Sequence, residues 1–299
     1  MIPRLDAALI AQDDPETLDA LRVAATQVGF ATVYNTGISA QRVQDVIDAY
    51  AAFFGQPCDV KRSVDMAVTG ANRGWGAAHS EKVDEKANAD YKQVFDCGFS
   101  LPAGDARAAL PVYAPNQWPS SPAGFQVQIE AYFSEACTVA AGILDGIAKA
   151  IDMPADYFEG AFDTPMALLR GNYYPARPAW ATSRDFGIAE HTDYGCLTLL
   201  ATDGSPGLEV RMPDGEWHAV QAPVGEFIIN FGEMLESWTA GKIRATAHRV
   251  IGTNAERISV PLFFNPVYET NIAPLGSGEK VLAGDHLMKR FQETYVHLK

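Results

Sequence analysis

Positive charge is scarce in this chain: 23 lysines and arginines stand against 37 aspartates and glutamates, a net charge of −14. Nucleic acids and anionic membranes demand a basic footprint, so neither is expected as a partner. An anionic small molecule is not excluded, because one arginine inside a pocket outweighs distant surface charge that salt screens. Long apolar runs are missing as well. No stretch approaches the about 18 unbroken apolar residues of a membrane helix. The first residues, Met1-Ile2-Pro3-Arg4-Leu5-Asp6, lack the basic-then-apolar order of a secretory leader, so a soluble cytoplasmic protein is expected. Cysteine is sparse: Cys58, Cys97, Cys137 and Cys196 lie far apart with no Cys-x-x-Cys. That spacing excludes a zinc knuckle or a paired redox motif and predicts reduced core thiols. Tandem repeats and low-complexity tracts are absent too.

What is present suffices for a large core, since 47% of the 299 residues are hydrophobic. Length alone suggests about two domains, but no linker composition interrupts the chain. One domain, residues 1–299, is therefore expected: a mainly helical N-terminal part (1–164), a β core (165–268) and a C-terminal segment (269–299). In the first part Asp14-Pro15 opens a helix, Phe30–Tyr34 reads as a short strand, and Ser39 reads as the N-cap of a second helix. The strongest helix runs from about Pro122 to Ile151. Its stripe of Phe125, Ile129, Tyr132, Phe133, Ala136, Ala140, Ile143, Leu144, Ile147 and Ile151 is a packing face rather than a binding site. Residues 66–118, punctuated by glycine and proline, are expected to be irregular and hence functional or mobile.

From Pro165 the pattern changes to short strands: Met166–Tyr174, Cys196–Thr202, Leu208–Met212, Glu216–Val220, Glu226–Phe231, Ala245–Gly252 and Arg257–Asn265. Asp203-Gly204, Pro206-Gly207 and Pro213-Asp214-Gly215 mark turns between them. Many short strands at close spacing indicate a sandwich or closed barrel rather than a parallel sheet.

Three residues carry the sharpest chemical signal. His191-Thr192-Asp193 places an imidazole and a carboxylate two positions apart, on one face of an extended segment. His248, in a later strand-like run, supplies a second imidazole. Two histidines and one carboxylate form the ligand set of a facial triad, which holds non-haem Fe(II) and leaves coordination positions open. The last strand reinforces this by alternation. Ile258, Val260, Leu262 and Phe264 form a purely apolar face, whereas Arg257, Ser259, Pro261, Phe263 and Asn265 share the other. An arginine on the inner face of a buried strand costs several kcal/mol without a partner, so a carboxylate is expected to meet it. Arg170, Asn172 and Tyr174 likewise share one face of a strand that Pro175 ends. Polar inner faces on two strands, with the triad, describe a lined pocket.

These residues, in this order, resemble the isopenicillin N synthase-like branch of the Fe(II)/2-oxoglutarate-dependent dioxygenases. The resemblance rests on Asn172-Tyr173-Tyr174-Pro175, His191-Thr192-Asp193, Gly215-Glu216-Trp217, Asn230-Phe231-Gly232-Glu233-Met234-Leu235, Trp238 with Gly241-Lys242, His248-Arg249-Val250 and Arg257-Ile258-Ser259. Gly29-Phe30 and Phe95-Asp96-Cys97-Gly98 extend it over most of the chain. It implies a mixed α and β fold, a double-stranded β-helix (jelly roll) core with N-terminal helices packed around it. It implies iron at His191, Asp193 and His248, with Arg257 and Ser259 holding the distal carboxylate of 2-oxoglutarate. Tyr174 would bind the same end and Asn172 would lie beside the cosubstrate. The implied reaction hydroxylates or desaturates a small organic molecule, consuming O2 and decarboxylating 2-oxoglutarate to succinate, with ascorbate as a reductant. His79, His218, His286 and His297 match no ligand position.

Two other readings share the same residues. One is a 2-oxoglutarate-independent iron oxidase of the isopenicillin N synthase or ACC oxidase type. The other is a non-catalytic metal- or dicarboxylate-binding sensor. The final residues, Tyr295-Val296-His297-Leu298-Lys299, lack the C-terminal glutamine with which isopenicillin N synthase ligates iron, Gln292 being the nearest, and this favours 2-oxoglutarate. For the substrate, Phe263, Asn265, Arg170 and Trp75 are the expected wall residues. An apolar-to-aromatic wall with one or two arginines suits a small or medium organic acid. Oligomeric state is left open.

Overall fold

The structure is a computed structural model that describes residues 1–80, 88, 90–154, 156–177, 179, 181–182, 185–274 and 276–294. The N-terminal half opens with β1 (Arg4–Asp6), α1 (Ala7–Ala11) and α2 (Pro15–Val23), then β2 (Phe30–Tyr34) and α3 (Ala40–Phe54). Short helices α4 (Cys58–Arg62) and α5 (Met66–Thr69) lead to β3 (Gly74–Gly76) and β4 (Gln93–Gly98), and the long α6 spans Phe125–Ala150. The caps follow from local chemistry. Asp14 accepts the amide of Thr17, and Ser39 accepts that of Arg42 at 3.1 Å. Helix α6 buries the predicted stripe, although Phe133 is only half-buried at its edge.

The second half supplies β5 (Leu168–Tyr174), β6 (Ile188–His191), β7 (Leu197–Thr202), β8 (Leu208–Arg211), β9 (Trp217–Ala219) and β10 (Phe227–Phe231). Then come α7 (Glu233–Trp238), β11 (His248–Val250), β12 (Arg257–Phe264) and α8 (Ala283–Thr294). The strands form two sheets. An eight-stranded sheet runs β1-β2-β10-β7-β12-β5-β4-β3, and a four-stranded sheet runs β6-β11-β8-β9. Apart from the parallel β1–β2 pair, the pairings within the named strands are antiparallel. The two sheets facing one another make the jelly roll. Helices α3 and α6 cover the outer face of the larger sheet, where Phe53, Phe95 and Phe125 meet with ring centroids 4.8–5.2 Å apart.

Two expectations need correction. Residues 66–118 are not simply irregular: α5, β3 and β4 lie within them, and β4 pairs with β5 from Gln93↔Tyr173 to Gly98↔Leu168. Glycines and a polar middle disguised that strand. The C-terminal segment carries α8, which buries Leu287 against the core. The cysteines are free thiols, but Cys58 is exposed rather than in the core. Gln292 is an exposed residue of α8, while His297 and the other final residues, 295–299, lie outside the described residues. Among the described residues no helix is long and apolar enough to cross a membrane.

Candidate active site

The smaller sheet brings two histidines together. Strand β11 pairs with β6 in a register that sets His248 opposite His191, and the ring centroids are 4.3 Å apart. Each ring is fixed the same way. His191 Nδ1 lies 2.8 Å from the carbonyl of Ala189, and His248 Nδ1 lies 3.2 Å from that of Thr246. A carbonyl only accepts, so Nδ1 carries the proton and each Nε2 presents a lone pair. Both lone pairs converge on Asp193 Oδ1, 3.8 Å from His191 Nε2 and 3.7 Å from His248 Nε2. All three donor atoms fit within 4.8 Å of one another.

Electrostatics prepares these groups for a cation. Burial and the neighbouring His248 push the His191 imidazolium well below its ordinary range. Burial alone would raise Asp193, but His248, His191, Thr198 and Asn230 outweigh it and keep the carboxylate ionised. Neutral imidazoles and one anionic oxygen are the forms a divalent metal binds.

The turn carrying Asp193 is fastened from below. Backbone amides at the start of α7 donate into it: Glu233 to the Asp193 carbonyl at 2.8 Å and Met234 to that of Gly195 at 3.1 Å. Helix α8 holds the other side, with His286 Nε2 2.9 Å from the Tyr194 carbonyl and Arg290 paired to Glu233 at 3.2 Å. The hydroxyl of Thr192 donates to the same Glu233 carboxylate.

The triad opens into one cavity between the sheets. Strand parity works as expected: Arg257, Ser259, Pro261, Phe263 and Asn265 line it, while Ile258, Val260, Leu262 and Phe264 pack into the core. On β5 the lining residues are Leu168, Arg170, Asn172 and Tyr174. The register Arg257↔Tyr174 and Ser259↔Asn172 gathers four polar side chains at one end. There the guanidinium carbon of Arg257 stands 5.1 Å from the Tyr174 ring centroid. Arg257 is 4% exposed, yet its Nε and Nη1 meet no acceptor among the described residues; nor does Asn172 Oδ1 meet a donor. A buried guanidinium with open donors is costly unless something anionic joins it.

Comparison with known proteins gives the family. A family model described as the non-haem dioxygenase in morphine synthesis N-terminal region matches residues 2–121, and one described as the 2OG-Fe(II) oxygenase superfamily matches residues 165–266. A 2-oxoglutarate-dependent dioxygenase of Didymella fabae is 30% identical over 94% of this chain and 91% of its own. This chain belongs to the 2-oxoglutarate–Fe(II) oxygenases. A rice protein named homoarginine-6-hydroxylase is 29% identical over 99% of this chain and 95% of its own. A full-length Neurospora crassa protein solved in complex with alpha-KG and thymine superposes with a TM-score of 0.85 at 25% identity, covering 98% of this chain and 96% of that one.

The oxygenase therefore uses Fe(II), 2-oxoglutarate and O2, and its residues fit the metal and the carboxylate. The nitrogen–nitrogen–oxygen donor set suits a borderline-to-hard dication. The open donors of Arg257 suit a carboxylate, which a guanidinium grips with two parallel hydrogen bonds.

Several of its site features differ from the sequence reading. Trp75 is absent from the cavity lining: it is buried in β3 opposite Phe95, with Nε1 donating to Gln93 Oε1 at 3.0 Å. Its neighbour Arg73 lines the cavity instead. Arg170 does face the cavity, but it is also gripped by Asp96 through two bonds of 2.8 and 2.6 Å. Asn265 lines the cavity and braces backbone, accepting from Cys196 N at 2.9 Å and donating to Met166 O at 3.2 Å. Missed altogether were Thr198 and Asn230, which the parity test would have found as polar residues on apolar strands. Leu287 and Phe291 of α8 also line the cavity, and no sequence signal marked them. His218 is an exposed residue of β9, in keeping with its lack of a ligand role.

Proposed function

We propose that this protein hydroxylates or desaturates a small or medium organic acid, acting as a single cytoplasmic oxygenase domain. The one observation that carries the assignment of roles is the buried Arg257 guanidinium with unmet donors in the same cavity as the His191–Asp193–His248 triad. In this reading His191, Asp193 and His248 hold Fe(II). Arg257 and Ser259 bind the distal carboxylate of 2-oxoglutarate, Tyr174 closes that end, and Asn172 stands beside the cosubstrate. Iron, once bound with 2-oxoglutarate and O2, supplies the oxidising chemistry that leaves succinate and CO2.

The protein's own contribution is placement. Strands β5 and β12 fix the cosubstrate end through the cross-strand pairs Arg257↔Tyr174 and Ser259↔Asn172. Further along β12, Pro261 and Phe263 form an apolar wall, with Leu287 and Phe291 of α8 lining the same cavity. Arg73 lines the cavity, and Arg170 lines it as half of its ion pair with Asp96; the acid reading follows from these polar groups beside an apolar wall. Small-molecule action also fits the relatives, one named for homoarginine hydroxylation and one solved with thymine.

The test is succinate formation with Fe(II), ascorbate and 2-oxoglutarate in air, screened against a panel of small carboxylic acids, amino acids and nucleobases. The expected result is stimulation by a carboxylic acid, with a product about 16 mass units heavier or about 2 lighter, as oxygen insertion or loss of two hydrogens requires. Stimulation confined to uncharged compounds would overturn the acid assignment. Loss of 2-oxoglutarate dependence would overturn the assignment of Arg257.

A further inference from the structure

We infer that Thr198 and Asn230 are positioning residues that hold Asp193 as a one-oxygen metal ligand. The inference rests on the metal centre proposed above and goes beyond its three ligands. Asp193 Oδ1 is the atom that faces both imidazoles, at 3.7 and 3.8 Å. Its other oxygen is already occupied. Oδ2 accepts the hydroxyl of Thr198 at 2.5 Å and the side-chain amide of Asn230 at 2.6 Å.

The sheet explains why both donors reach one atom. Thr198 on β7 and Asn230 on β10 are direct cross-strand partners, so their side chains stand side by side on the same face. Apart from Thr202 at the end of β7, both strands are otherwise apolar, Leu197–Thr202 reading Leu-Thr-Leu-Leu-Ala-Thr and Phe227–Phe231 reading Phe-Ile-Ile-Asn-Phe. Thr198 is 5% exposed and Asn230 is 2% exposed. Polar groups buried there need a partner, and the partner they share is Asp193 Oδ2, the carboxylate oxygen that does not face the two imidazoles. The Asp193 carbonyl is held as well, by the amide of Glu233.

A carboxylate is free to offer a dication one oxygen or two. With Oδ2 committed to two hydrogen bonds, only Oδ1 is available, and the coordination position that a second oxygen would take stays open. That matters where a chelating 2-oxo acid and O2 must bind together. Outer partners of this kind generally contribute about 10- to 100-fold in metal affinity.

The experiment measures Co(II) binding to the full chain under argon, by the visible ligand-field absorption of the metal, in the parent, Thr198→Val, Thr198→Ser and Asn230→Asp. Thr198→Val keeps shape and removes the hydroxyl; Thr198→Ser restores it; Asn230→Asp replaces the donor with an acceptor. Expected is weaker Co(II) binding by about 10- to 100-fold in Thr198→Val and Asn230→Asp, with altered band positions and near-parent binding in Thr198→Ser. Thermal unfolding of the metal-free proteins separates this from mere instability, and Thr198→Val and Thr198→Ser should melt alike. Unchanged Co(II) affinity and spectrum in both Thr198→Val and Asn230→Asp would overturn the inference. So would a Thr198→Ser variant as impaired as Thr198→Val. Should the parent itself bind no Co(II), the metal centre fails instead.

Discussion

In the proposed site, cosubstrate recognition turns on Arg257. Its guanidinium is buried, with Nε and Nη1 unmet, beside the Tyr174 ring. Replacing it with leucine keeps the apolar stem and removes the charge. A hydrogen bond to a charged group contributes about 1.5–3 kcal/mol, so Arg257→Leu should raise the KM for 2-oxoglutarate by about tenfold to a hundredfold. Its Co(II) spectrum in the absence of 2-oxoglutarate should match the parent. Steady-state succinate formation measures the first and anaerobic titration the second. Equal KM values in parent and variant would make Arg257 a structural cation.

At the scale of the element, β12 divides its labour along its length. Arg257 and Ser259 face Tyr174 and Asn172, whereas Phe263 pairs with Leu168 on one side and Thr198 on the other. A strand rises about 3.3 Å per residue, so in the proposed site the two ends are far enough apart to serve different molecules. Phe263→Ala should leave the KM for 2-oxoglutarate unchanged while lowering turnover of the organic substrate or uncoupling succinate from product. Product-to-succinate ratios test this directly; a cosubstrate KM that moved as far as in Arg257→Leu would refute the division.

Strand β5 has its own constraint at Gly171, between the two cavity residues Arg170 and Asn172. A Cβ there would lie 2.2 Å from the Tyr50 ring of α3. Overpacking of that kind costs about 1–3 kcal/mol. Gly171→Ala should therefore lower the urea midpoint, and it should also weaken 2-oxoglutarate binding, because relief requires β5 to shift. A parent-like midpoint would show that α3 gives way instead.

For the whole molecule, the proposed metal site draws on segments distant in sequence. Asp193 is tied to α7 and its neighbour Tyr194 to α8, while His191 and His248 come from the paired strands β6 and β11 of the smaller sheet. A ligand that binds only the folded state stabilises it by mass action, by about 2.7 kcal/mol at a hundredfold excess over Kd. Mn(II) should accordingly raise the melting temperature by several degrees, EDTA should reverse the shift, and Asp193→Ala should abolish it. Differential scanning fluorimetry reads all three. A full Mn(II) shift in Asp193→Ala would place the metal elsewhere.

Much of this molecule was legible before its structure, wherever one strand or helix carried its own evidence. The alternation of Arg257, Ser259, Pro261 and Phe263 against Ile258, Val260, Leu262 and Phe264 fixed the two faces of β12, because side-chain direction in a strand depends only on parity. The α6 stripe and the Ser39 cap were readable for the same local reason. Tertiary structure alone decided what depends on residues distant in sequence. The His248↔His191 register, the grip of Asp96 on Arg170, the burial of Trp75 away from the cavity that Arg73 lines, and the arrival of Leu287 and Phe291 from α8 are all of this kind. None has a local signature, since each arises where separate elements dock and bury polar groups that must find partners in one another.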